Sequence, residues 1–339
     1  MLSVHEAANR ISGSVRALPS VRVTLADALG CVLAEDILSP ITLPHWDNSA
    51  MDGYAVHGDD VPGAIESPAT TLPVVGTIPA GGFAERALAR GEAMRIMTGA
   101  PMPAGADTVI RVEDTDAGLE RVRIMKDRDV RKNVRKAGED VHRGQIAIPA
   151  GTPIGAAQIG VLASIGSAEV PVHRRPRVAI LGSGDELVDL DEFNQVLAGK
   201  RIVSSNKYTI EALVTLAGGV PISLGHAPDS LEAVRDLMLR AVAEQPDLII
   251  TSAGVSVGEH DHTRTAVEEL GTALDFWRVR MRPGAPVGFG QVRGIPWVGL
   301  PGNPVSVMVT FELFVRPTIR RLLGLTRCLL YTSPSPRDS

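Results

Sequence analysis

The sequence predicts a multidomain α/β protein, in which a parallel-sheet half follows a β-rich segment set into helical and extended sequence. Three observations predict it. After residues 174–177 (RRPR), apolar strand-like runs alternate with helical periodicity, the pattern of a sheet covered by helices on both faces. Between Val56 and about Ile148, short strand-like runs are separated by Gly and Pro. And 339 residues are enough for two or three domains.

Taken in order, Ser3 and Glu6 form a capping box, followed by apolar Val4, Ala7, Ala8, Ile11 and Val15 on one face. This predicts an amphipathic helix ending near Leu18 and Pro19. A second helix is expected over 25–33, then extended chain over 36–44. Residues 45–54 are polar and rich in turn formers. Strands are expected at 72–76, 92–97, 108–113 and 122–125, forming the β-rich part. In the C-terminal half the pattern gives strand 178–181, helix 207–217, strand 221–224, helix 230–243, strand 248–251, helix 263–271 and helix 305–323. Asp229 and Glu232 read as the capping box of the helix at 230.

Composition narrows the function classes. The net charge of −5 without a basic block, together with 4% aromatic residues, argues against nucleic acid as the main partner. The two cysteines, Cys31 and Cys328, make neither a disulfide framework nor a metal pattern and read as reduced thiols of a cytoplasmic protein. No leader peptide and no membrane-spanning run is expected. Residues 325–339, biased to Ser and Pro, read as a foreign or disordered tail.

The chemistry is expected at the carboxyl ends of the parallel strands, where α/β sheets bind ligands. Residues 251–261 (TSAGVSVGEHD) run from a strand through a Gly/Ser loop to a helix start, the arrangement that cradles phosphate on backbone N–H groups. Residues 182–186 (GSGDE) and 225–229 (GHAPD) end two further strands. Together these loops bring Asp185, Glu186, Asp229, Glu259 and Asp261 to one rim, where repulsion between carboxylates favours a divalent cation beside the phosphate. Taken singly, Asp229 or Asp261 is equally well a helix N-cap. Residues 300–306 (LPGNPVS) offer either a rigid helix start, with Asn303 as cap and Pro304 in the first turn, or a second ligand contact. Arg278, Arg280 and Arg282 alternate along an extended segment. They read either as an exposed basic face or as a clamp for a tetrahedral oxyanion.

With these residues in view, the sequence resembles the molybdopterin molybdenumtransferase family (MoeA and the E-domain of gephyrin) from about residue 3 to 324. The motifs that carry the resemblance are 47–55 (DNSAMDGYA), 95–103 (RIMTGAPMP), 138–140 (GED), 184–187 (GDEL), 252–259 (SAGVSVGE) and 300–306. The resemblance implies a discontinuous helical and extended domain (1–50 and 140–175), a β-rich inserted domain (51–139), and a MogA-like molybdopterin-binding α/β domain (176–324). It also implies a C-terminal β-barrel, which is expected to be missing here. The implied reaction inserts molybdate into adenylylated molybdopterin with Mg²⁺ and releases AMP. Implied partners are a second copy of the chain, other cofactor-biosynthesis proteins and recipient molybdoenzymes.

By the same resemblance, the catalytic set is Asp52, Thr98, Asp140, Glu186, Asp229, Asp261, Arg278 and Arg282, with Glu186, Asp229 and Asp261 as metal ligands. Gly184, Asp185, Ser252, Gly254, Ser256, Gly258, Pro301, Gly302, Asn303, Pro304 and Ser306 are expected to bind the ligand. Asp52 and Thr98 are expected to complete the site of the second copy. The chain departs from the family pattern at Arg278 and Arg282, where lysines are usual, at Ala285, where a further lysine is usual, and at Ala253, where glycine is usual. The alternatives are a molybdopterin adenylyltransferase, which leaves the first 175 residues unexplained, and a non-catalytic molybdopterin-binding scaffold.

Overall fold

Val178, Ala179, Ile180 and Leu181 are all buried, so this run has no solvent face and takes a central place in a sheet covered on both sides. A computed structural model describes residues 1–61, 70–126, 128–253 and 262–325. The chain forms two units, Met1–Asp36 with Pro149–Ser339, and Ile37–Ile148.

The first unit is built on a six-stranded sheet of β1 (Arg177–Ser183), β2 (Val220–Ala227), β3 (Leu248–Ser252), β4 (Phe276–Arg278), β5 (Pro286–Val292) and β6 (Ile295–Leu300), in the order β2-β1-β3-β6-β5-β4. The four strands β2, β1, β3 and β6 are parallel, and β5 turns back antiparallel to both β6 and β4. Side chains alternate across the sheet. Val178, Ile180, Leu248, Ile250, Val298 and Leu300 enter one core with α1 (Val4–Gly13), α2 (Ser205–Leu216) and the helical segment that starts with α5 (Pro304–Thr310). Ala179, Leu181, Ile249 and Trp297 enter the other core with α3 (Leu231–Ala243) and α4 (His262–Leu270). Asp247 pins the base of the sheet: it receives both guanidinium arms of Arg174 (2.7 and 2.6 Å) and the Arg177 N–H (2.8 Å).

Several expected elements shift, each for a visible reason. The capping box of α1 forms between Ser3 and Glu6, but the helix stops at Gly13 rather than near Leu18. There the hydroxyls of Ser12 and Ser14 donate back to the carbonyls of Ala8 and Ile11, competing with the helical ladder. The expected helix at 25–33 is absent. Its backbone groups pair instead with the segment 152–172, through Gly30 with Ile154 and the bridges of Val32 and Leu33 to Pro153 and Val172. The cap of α3 is Ser230, whose hydroxyl accepts from the Ala233 N–H, so the Asp229–Glu232 capping box is corrected by one residue. The last helix is continuous over 304–322, with a π segment at Phe311–Val315 ahead of Arg316–Leu322. Pro317 has no N–H to donate, and a wider turn before it relieves the ladder.

The second unit is β-rich. Its five-stranded sheet runs Thr108–Arg111, Gly53–Val56, Ala93–Ile96, Thr71–Ile78 and Arg121–Arg123 in spatial order. Apolar residues fill both faces, Tyr54, Val56, Ile110 and Ile124 on one and Ala55, Ile78, Ile96 and Val109 on the other. At the centre, a Cβ on Gly53 would lie 2.0 Å from the backbone oxygen of Ile110. Backbone cannot swing aside as a side chain can. Gly53→Ala is therefore expected to cost about 3 kcal/mol through strand displacement, read as early loss of this unit in denaturant unfolding; unchanged stability would show that the strands separate without cost.

Candidate functional site

The parallel register sets the level of the rim. Gly182 stands opposite Ser252, and Ser252 opposite Leu300, so three loops leave neighbouring strands at one height. The first two strands run further than their sequence suggests, to Ser183 and Ala227, which shortens the loops carrying the carboxylates.

At the end of β1, the Gly184 N–H donates to the carbonyl of Ala227 (3.1 Å), tying this loop to the end of β2. Gly184 has φ +148°, and a Cβ there would meet the Glu186 carboxylate at 2.6 Å. The Glu186 side chain therefore lies over the backbone of its own loop, and it is the positive φ of Gly184 that favours glycine there. The Asp185 carboxylate accepts from the Asp229 N–H (3.0 Å) and joins the two loops. Asp185, Glu186 and Asp229 are all exposed. Glu186 and Asp229 thus lie on adjacent loops, the first carrying Gly184 and Asp185 as well. The rest of the leading loop, with Gly254, Ser256, Gly258, Glu259 and Asp261, lies outside the described residues.

The β6 loop behaves as a helix start and also faces the rim. Asn303 caps α5, its side-chain oxygen accepting from the N–H groups of Val305 (3.0 Å) and Ser306 (3.3 Å), and Pro304 occupies the first turn. Pro301 and Ser306 are buried, whereas Gly302 and Asn303 are exposed. The Ala253 N–H donates to the Leu300 carbonyl (3.2 Å), joining the β3 and β6 loops. Ala253 holds φ +72°, so the position where glycine is usual does require the left-handed region.

Sequence reasoning missed Asn206 and Lys207 at this end of the sheet, and gave Thr251 and His226 only as members of the loops 251–261 and 225–229. Asn206 donates to the Gly302 carbonyl (2.8 Å), while its own side-chain oxygen is buried without a partner among the described residues. The Thr251 hydroxyl and the Nδ1 of His226 are likewise buried and unpartnered among them. Lys207 holds Asp189 (2.8 Å), with the Tyr208 hydroxyl nearby (3.5 Å). The hydrogen bond from Lys207 draws the Asp189 carboxyl below its ordinary range. For Lys207, burial opposes the charge, but the bond and the charge of Asp189 outweigh it and raise the pKa. The available signal was the polar run 204–209 at a helix start, which periodicity alone treats as surface.

The arginines separate in the structure. The strand ends at Arg278, so the three do not share one continuous extended segment, although all three are exposed. The Arg280 N–H donates to the Leu2 carbonyl (2.9 Å), and Val279 bridges Leu2, so the chain start braces this turn. The charge of Arg280 also acts on Glu6. Arg278 and Arg282 have no carboxylate partner among the described residues.

In the second unit, Asp52 accepts the Thr98 N–H (2.7 Å) and the Thr98 hydroxyl (2.8 Å) on one oxygen. The backbone bond first, then the hydroxyl, draws the Asp52 carboxyl below its ordinary range, and Arg95 adds to this. Asp140 is exposed, its N–H bonded to the Leu43 carbonyl (3.1 Å). Asp47 receives the Lys136 ammonium (2.8 Å) and the Ala137 N–H (2.9 Å). Arg135, opposite Asn48 in a short antiparallel pair, has no carboxylate partner among the described residues.

No set of three or more metal-ligating side chains is assembled among the described residues. No helix among them is long and apolar enough to cross a membrane.

Comparison with known proteins agrees with this layout. The family model described as the MoeA N-terminal region (domains I and II) matches residues 2–166, and that of a probable molybdopterin-binding domain matches residues 179–321. The chain is 41% identical over 334 residues to the molybdopterin molybdenumtransferase of Nostoc sp., spanning 96% of this chain and 76% of that protein. It is 39% identical over 333 residues to molybdopterin molybdenumtransferase 2 of Mycobacterium tuberculosis, spanning 96% and 80%. Among solved structures, a molybdopterin biosynthesis MoeA protein from Pyrococcus horikoshii superimposes with a TM-score of 0.80 at 27% identity, over 96% of this chain and 80% of that one.

Two outcomes are expected. Because Asp52 is drawn down in the fold, its contact with Thr98 adds stability above the unfolded carboxyl pKa and loses it as pH falls through the folded one. Thr98→Val removes the hydroxyl but keeps the N–H, so the Asp52 titration midpoint, followed by carboxyl-carbon NMR, should move up part of the way; a fixed midpoint would remove the hydroxyl's role. Ala253→Gly should relieve left-handed strain and raise stability by about 1 kcal/mol in denaturant unfolding, and any loss of stability would contradict that geometry.

Proposed function

The chain belongs to the molybdopterin molybdenumtransferase family, and we propose that it inserts molybdate into adenylylated molybdopterin with release of AMP, in molybdenum cofactor biosynthesis. The observation that carries this reading lies within the segment matched by the molybdopterin-binding model. There the parallel strands deliver Gly184, Asp185, Glu186, Asp229 and the capped Asn303 loop to a single rim.

On this reading Glu186, Asp229 and Asp261 hold Mg²⁺. Their donors are hard oxygens, which suit that ion, and the Asp229 N–H bonded to the Asp185 carboxylate keeps the loops that carry Glu186 and Asp229 side by side. When bound, the ion offsets the negative charge of the substrate's pyrophosphate. The chain's own groups do the rest. Backbone N–H groups and the loop carrying Ser252, Gly254, Ser256 and Gly258 orient the phosphates. Pro301, Gly302, Asn303, Pro304 and Ser306 form a rigid wall whose cap holds the loop in place. A phosphorus–oxygen bond of the pyrophosphate breaks, with water supplying the incoming oxygen and AMP leaving. The two dithiolene thiols of the product bind molybdenum, and one molybdate oxygen leaves as water with their protons.

Arg278 and Arg282, exposed and without a carboxylate partner among the described residues, are assigned to the molybdate oxyanion. Asp52, Thr98 and Asp140 belong to the other unit and are assigned to the site of a second copy in a homodimer. The domain division 1–50 with 140–175, 51–139 and 176–324 is part of this proposal, supported by the separate matches of the two family models.

Incubation with adenylylated molybdopterin, Mg²⁺ and molybdate tests the reading. AMP is expected, and the Arg278→Ala/Arg282→Ala pair should raise the molybdate concentration needed for half-maximal release about tenfold or more, the loss of two charge-assisted contacts. Binding of the substrate without AMP release would make the protein a scaffold. An unaltered molybdate dependence would remove the oxyanion assignment.

A further inference from the structure

Beside the rim, the chain makes an excursion that begins at the last residue of the 184–187 motif. Leu187–Val188 pairs in parallel with Ile202–Val203, and between them lie a short 3-10 turn (Leu190–Glu192) and a helix (Phe193–Leu197). The excursion is tied down by the Ile202 N–H on the Glu186 carbonyl (2.8 Å) and the Ser204 N–H on the Val188 carbonyl (2.9 Å). Under it, at the ends of β1 and β2, lies a cleft of about 370 Å³ lined by Asp185, Leu187, Glu192, Gln195, Arg201 and His226, among others. That volume is at the small end of ligand sites and suits a fused ring system rather than a whole nucleotide-linked substrate.

The hydrogen-bonding capacity of the lining is lopsided. Gln195 spends an amide N–H on Glu192 (2.8 Å), which leaves its carbonyl oxygen to accept, and Glu192 keeps further acceptor capacity. One stretch of the wall is thus rich in acceptors. Arg201 has no partner among the described residues and supplies only donors. His226 adds a ring nitrogen that is buried and has no partner among the described residues. A ring with neighbouring N–H donors and an acceptor oxygen on one edge matches this lining. The 2-amino-4-oxo edge of a pterin is such an edge. Adenine alternates donor and acceptor along its edge and offers no ring oxygen to Arg201.

We infer that this side cleft receives the pterin ring of the substrate, with Glu192 and Gln195 accepting from the amino and ring N–H groups and Arg201 donating to the ring oxygen. The inference rests on the reading of the rim as the molybdopterin site and assigns the ring to the β2 side of it.

Equilibrium binding of free pterin (2-amino-4-oxopteridine), followed by its own fluorescence, and of AMP, to the full chain tests this. Glu192→Ala and Arg201→Ala, both exposed positions, are each expected to weaken pterin about tenfold, one charge-assisted hydrogen bond, and to leave AMP binding unchanged. Equal pterin affinity in the variants, or no pterin binding by the unmodified chain, overturns the inference. So does a selective loss of AMP, which would put the adenine ring in the cleft. AMP release from the adenylylated substrate by the unmodified chain is scored separately. Release without dependence of pterin binding on Glu192 and Arg201 sinks the cleft assignment alone, and dependence without release sinks the transferase reading alone.

Discussion

The in-register parallel ladder of β1, β3 and β6 is the constraint on which the rim depends. Because Gly182, Ser252 and Leu300 lie across from one another, the loops that follow start at one level, and short bonds such as Gly184 to Ala227 and Ala253 to Leu300 can close between them. A slip of one residue in any of these strands would turn its apolar side chains from one core to the other. The same residues that fill the two cores therefore also fix where the polar loops emerge. Asp247, clamped by Arg174 and Arg177 at the opposite end, holds β1 and β3 at that register.

Buried polar groups are generally paired in folded proteins. Among the described residues of the first unit, the Thr251 hydroxyl, the Asn206 side-chain oxygen and the Nδ1 of His226 at the carboxyl ends are buried without a partner, as are side-chain atoms of Glu211 and Trp297 elsewhere in the unit. An unpaired buried group costs about 1–3 kcal/mol. The left-handed Ala253 adds backbone strain at the same end. In the second unit the carboxylates are handled in the opposite way. Asp52, Asp47 and Asp129 are each held by defined donors and drawn down in pKa, with Thr98, Lys136 and Arg111 as the principal hydrogen-bond donors. Such groups stay charged and oriented near neutral pH.

Much of the fold was legible. The strands at 178–181 and 248–251 and the helix at 230–243 are long apolar or amphipathic runs whose period is unambiguous, and each appears within a few residues of its expected place. The failures have a common cause. At 25–33 the chain has helical composition, yet its backbone groups find partners in a segment more than 120 residues away, and no local rule can weigh such a partner. The cap at Ser230 rather than Asp229 is a choice between two good cap residues that the approach of Asp185 settles, since it occupies the Asp229 N–H.

The sequence by itself determined the family and the acidic and glycine-rich loops of the site, because those depend on residue type and order: glycine where a carboxylate crowds the backbone, proline and asparagine where a helix begins. Only the tertiary structure decided which cations and polar atoms lack partners among the described residues, and that a cleft opens beneath the excursion at 187–203. These are properties of groups brought together from distant parts of the chain, and that the Arg280 N–H meets the Leu2 carbonyl while Arg278 and Arg282 meet no carboxylate among the described residues depends on how the folded backbone carries them, not on their spacing.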